Sequence, residues 1–75
     1  MSAQLVRTAS REGRPVAQLR CYDSDGATIV DAEVLPAGAT DRVRRGPYRF
    51  ATAPEAFRFV QEALLALQYL GCQIT

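Results

Sequence analysis

Apolar and polar residues alternate cleanly along two stretches of the chain. In Val16–Tyr22, Ala17, Leu19 and Cys21 point one way, and Val16, Gln18, Arg20 and Tyr22 the other. In Ala27–Leu35, Thr28, Val30, Ala32 and Val34 oppose Ile29, Asp31, Glu33 and Leu35. A period of two is the signature of a strand with one buried face. Between the stretches lies Asp23-Ser24-Asp25-Gly26, and Asp-Gly flanked by alternating residues signals a hairpin. A two-residue Asp25-Gly26 turn pairs Tyr22 with Ile29, Arg20 with Asp31, Gln18 with Glu33 and Val16 with Leu35. On the other face it pairs Cys21 with Val30, Leu19 with Ala32 and Ala17 with Val34. One face becomes apolar and the other gains an Arg20–Asp31 ion pair. A slip of one residue would set Leu19 against Asp31, so the pattern selects its own register. Gln4–Ala9 alternates more weakly and reads as a first strand, followed by a turn at Ser10–Pro15. Pro36–Pro47, PAGATDRVRRGP, has no period and reads as the longest loop. Tyr48–Ala51 reads as a short fourth strand.

The period then changes to that of a helix. Thr52-Ala-Pro-Glu55 has the spacing of a capping box with Pro inside the first turn. Phe57, Val60, Leu64, Leu67 and Gly71 recur at helical spacing, with Ala56 and Ala63 beside them. Gly71 is a natural stop, so the helix is expected over about 53–70. The order strand-strand-strand-strand-helix defines an α+β domain spanning 1–75: a four-stranded antiparallel meander with one C-terminal helix on its apolar face. Phe59, Leu65, Ala66 and Tyr69 remain once a single sheet-facing stripe is assigned. That surplus apolar arc points to self-association through the helix, as a homodimer or with a protein partner.

At 75 residues the chain buries only about 60–65% of the surface its unfolded form exposes, so its core is small. A hydrophobic content of 48% with 23% charged residues is that of a globular domain. Net charge is only +1, but it is unevenly spread. Asp23, Asp25, Asp31, Glu33 and Asp41 form an acidic block, and Arg42, Arg44, Arg45 and Arg49 a basic one. Neighbouring strands are expected to neutralise much of this. No stretch approaches the roughly 20 apolar residues of a membrane span. No apolar segment follows basic residues at the N-terminus, so secretion is not expected. A reducing cytoplasm with Cys21 and Cys72 as free thiols is the expectation.

Catalysis finds little support. The chain has no His and no Lys, so it lacks the usual neutral-pH base and the Schiff-base amine. Two cysteines without His do not fill a tetrahedral metal shell. Asp31 and Glu33 are answered by Gln18 and Arg20 across the hairpin. No enzyme, cofactor or metal is therefore expected.

Binding is better served. Arg42, Arg44, Arg45 and Arg49 surround Tyr48 and Phe50, combining cations with stacking planes as single-stranded nucleic acid sites do. The runs LRCYDSDGATIVDAEVLPAG and RRGPYRFATAPEAFRFV, in that order, resemble the whirly-like, positive-cofactor-four family of single-strand-binding coactivators over residues 16–70. The resemblance lies in element order and spacing. It implies a homodimer made through the helices, with single-stranded DNA or RNA lying across strands and basic loops. The positions it would use are Arg20, Arg44, Arg45, Arg49 and Tyr48, and the local basic run adds Arg42.

Overall fold

A computed structural model describes residues 3–36 and 40–75. The domain is α+β, and its elements follow the expected order with one addition. Four strands, β1 (Ala3–Arg11), β2 (Arg14–Ser24), β3 (Ala27–Val34) and β4 (Val43–Phe50), precede α1 (Ala53–Tyr69), and a two-residue β5 (Gln73–Ile74) follows it. All neighbours are antiparallel, in the sheet order β4-β3-β2-β1-β5. The helix therefore leaves one edge of the sheet and returns the chain to the other.

The β2–β3 register matches every pairing read from the alternation, from Tyr22↔Ile29 to Ala17↔Val34. The Leu35 N–H bonds the Val16 carbonyl at 2.8 Å, which continues the same register one step further. Asp25 and Gly26 have φ of 50° and 75°, as the mirror-image turn that matches strand twist requires. The first hairpin is tighter than Ser10–Pro15. Its turn is Glu12-Gly13 alone, both at positive φ, and Pro15 sits inside β2 opposite Ser10, beside a register shift.

The largest departure concerns Pro36–Pro47. Val43, Arg44 and Arg45 are not loop but strand, paired with Val34, Glu33 and Ala32. Gly46 and Pro47 then lie between the Ala32↔Arg45 and Val30↔Tyr48 pairs, opposite the single residue Asp31. This bulge restores pairing on its far side. Gly46 has φ of +87°, and a Cβ there would lie 2.9 Å from the Tyr48 nitrogen and 3.1 Å from the Val30 oxygen. Only glycine fits. Residues 37–39 of the expected loop lie outside the described residues.

The Thr52 hydroxyl donates to Glu55 Oε1 at 2.8 Å and makes no bond to the helix backbone, so the two side chains meet as the spacing suggests but bond each other instead of closing the expected capping box on the backbone. At the other end Cys72 N–H bonds Leu67 O and Gly71 N–H bonds Gln68 O, both at 3.0 Å, with Gly71 at φ +91°. This double closure satisfies the last carbonyls and turns the chain into β5.

Ala56 and Val60 of α1 pack on Leu19, Cys21 and Val30 of the sheet, and these five form the main core. A second cluster of Ala9, Ala17 and Cys72 lies beneath the helix end. The inward stripe differs from the expected one at two aromatics. Phe57 is 41% exposed, while Phe59 packs against the core. Phe59 reaches over β4, where its ring centroid lies 5.1 Å from Tyr48 and 5.3 Å from Phe50. It does not belong to the outer face on which the surplus arc placed it; Leu65, Ala66 and Tyr69 do lie exposed there.

In urea unfolding, Phe59→Ala should lower stability by about 2 kcal/mol, and Phe57→Ala by less than about 1 kcal/mol. The reverse order would return Phe57 to the sheet.

Candidate functional site

Strand alternation divides the arginine run between two surfaces. Arg44 and Arg49 stand opposite Glu33 and Ile29, on the face of the sheet away from the helix. Arg45 and Tyr48 stand opposite Ala32 and Val30, on the helix side of the edge strand. Arg20 joins the first group through its pairing with Asp31. The run is thus an edge strand with functional groups on both flanks, rather than a projecting connector.

On the open face the acidic block meets the basic one. Arg44 Nη2 lies 3.0 Å from Asp31 Oδ1, and Arg42 Nη1 lies 3.1 Å from Glu33 Oε2. The Tyr22 hydroxyl donates to Asp31 Oδ2 at 2.9 Å, so both oxygens of that carboxylate are taken. Arg20 pairs diagonally with Glu33 at 4.0 Å, not with Asp31 as the register alone implied. The reason is the arrival of β4, which brings the Arg44 guanidinium to Asp31 from the other side. These arginines are half or more exposed, so each pair contributes at most about 1 kcal/mol.

The network has a titration signature. The Tyr22 phenol is held above its ordinary range, first by donating to Asp31 and then by burial. The hydrogen bond to Asp31 also raises the Arg44 guanidinium above its ordinary value. Cys21, fully buried beneath the helix, is raised by desolvation and, to a lesser degree, by the charge of Asp23. Its thiol is correspondingly poor as a nucleophile.

Arg45 and Arg49 make no ion pair among the described residues. Tyr48, beside them in sequence, is 40% exposed. The open face is therefore mixed in sign, with Arg20, Arg42, Arg44 and Arg49 set against Asp31 and Glu33 and a surplus of positive charge at the β4 edge. Among the described residues no cluster of three or more His, Cys, Asp or Glu side chains could hold a metal ion. No helix among them is long and apolar enough to cross a membrane.

Alternation alone showed that Arg44 and Arg45 would part company, had Val43–Arg45 been read as strand. What it could not place was the Asp31 carboxylate, which has ligands from two different strands. No protein-family model matches the chain, and no curated protein or solved structure is significantly similar to it.

Alkaline difference spectroscopy should find one of the three tyrosines titrating above the usual value of about 10. Asp31→Asn should bring it down. A raised phenol favours the fold while it is protonated. This contribution is therefore complete below about pH 10 and is lost as pH rises through the folded-state value.

Proposed function

We propose that the protein is a small non-catalytic binding module that associates with a second copy through the outer surface of α1. The observation that carries this reading is the exposure of large apolar side chains along that surface. Phe57, Leu65 and Tyr69 are 41%, 55% and 95% exposed. With Gln61 they stand four residues apart, forming one continuous ridge on the helix. Ridges of this spacing pack against an identical ridge in the commonest class of helix crossing. A second copy supplies that ridge by symmetry, and Ala66 beside it lets the helices approach. Arg58 and Glu62 on the same side provide opposite charges for the rim.

A second reading is favoured by Arg45 and Arg49, which have no acidic partner among the described residues. With the half-exposed Tyr48 they offer two cations and one stacking plane to a single-stranded nucleic acid running along the β4 edge. Asp31 and Glu33 weaken this reading, because a phosphate chain crossing the open face would pass close to both. The two readings are compatible, since the helix ridge and the β4 edge are different surfaces.

In sedimentation or light scattering, the mass should rise with concentration toward twice the 8.2 kDa chain mass. Leu65→Glu should hold the protein at the monomer mass while leaving its circular dichroism unchanged. A wild-type mass that stays at 8.2 kDa through millimolar concentration would overturn the first reading.

Titration with short labelled single- and double-stranded oligomers at low salt tests the second. Single strands should bind, and Arg45→Ala with Arg49→Ala should reduce the salt slope by about two. No retention at low salt would remove it.

A further inference from the structure

A cleft lies away from both surfaces, where the β1–β2 turn, the end of β3 and the C-terminal end of α1 converge. Its volume is about 350 Å³, near the lower bound of small-molecule sites, about 300 Å³. Val16, Leu35, Leu67, Leu70 and Cys72 give it an apolar lining, and Arg11 and Arg14 stand at its rim on either side of Glu12-Gly13. Leu70 is 66% exposed, and its place here accounts for an apolar side chain that lies off the outer ridge of the helix.

The two rim arginines differ in their surroundings. Arg11 Nε lies 3.8 Å from the position a Cβ would take at Gly71. It thus sets a cation against a helix end whose own last turn has no basic residue, the favourable sign for that terminus. Arg14 has no such role. Neither makes an ion pair among the described residues, although Arg20, Arg42 and Arg44 on the open face all do. Glu12 is the one acidic residue of the lining.

From this pairing of an apolar trough with an uncommitted guanidinium at its mouth, we propose that the cleft binds a small monocarboxylate with a short aliphatic body. The aliphatic part lies between Leu35, Leu67 and Leu70, and the carboxylate meets Arg14 as a charge-assisted, two-pronged contact. Arg11 offsets the partial negative charge of the helix end, which would otherwise repel the head group. The volume limits the body to a short chain, and with Arg11 turned to the helix end and Glu12 beside it, Arg14 suits a head group of one charge.

Octanoate and octanol, titrated into isotopically labelled protein, provide the test. Octanoate should shift the methyl resonances of Leu67 and Leu70 saturably, and octanol should bind about tenfold more weakly, as the loss of one charge-assisted contact entails. Arg14→Ala should bring octanoate down to the level of octanol and leave octanol unchanged. Leu70→Asp, at an exposed position, should abolish both. Leu65→Glu should change neither, which separates this site from self-association. Equal binding of acid and alcohol, or no shift at millimolar octanoate, would overturn the proposal. So would a short peptide ending in leucine that binds at least tenfold more tightly than octanoate, because the occupant would then be a chain terminus.

Discussion

One helix about 10 Å across has to shield a sheet whose strands are spaced about 4.8 Å apart. It cannot cover five of them. α1 lies over the middle of the sheet, where Leu19, Cys21 and Val30 meet Ala56 and Val60. The margins are then dealt with separately. On the β4 side, Phe59 leans outward to reach Tyr48 and Phe50, extending the shield by one ring. On the β1 side, the chain returns after Gly71 as β5 and closes over Ala9 and Ala17 with Cys72. Where neither device reaches, beyond the helix end, the cleft is left open. The aromatic fan, the short fifth strand and the cleft are three results of the same shortage of cover.

The uncovered face of the sheet is managed by charge instead of by packing. Asp31 and Glu33 interleave with Arg20, Arg42 and Arg44, so most of the charge on that face is paired. β4 is also an edge strand, and an edge invites pairing with other chains. Arginines on both flanks and a bulge with a proline in the middle are the features that discourage such pairing. Much of the basic run is therefore accounted for by the sheet, and Arg45, Arg49 and Tyr48 are what remain for a ligand.

How much could be read from the residues depended on whether a pattern was continuous. The β2–β3 hairpin was legible to the last pair because alternation ran unbroken through it to a turn of known chemistry. Of β4 only the stretch from Tyr48 onward was, because Gly46-Pro47 inserts an extra residue and shifts the alternation midway. β5 was not, because two residues carry no period. The helix was legible in extent but not in phase. Val60, Leu64 and Leu67 fit an inward arc that includes either Phe57 or Phe59, and the position of β4, unknown from periodicity, decides between them. The candidate site suffered most. Residues close in sequence were grouped together, whereas in a strand each successive side chain goes to the opposite surface.

The burial of Cys21 at the centre of the sandwich also bears on how the molecule ages. Its sulfur has no accessible surface, and its proton is held more tightly than in solution, so oxidants cannot reach it while helix and sheet remain in contact. Damage at this atom must follow separation of the two layers. A molecule oxidised there has already opened once, and a polar sulfur oxide in so small an interior would keep it from closing again.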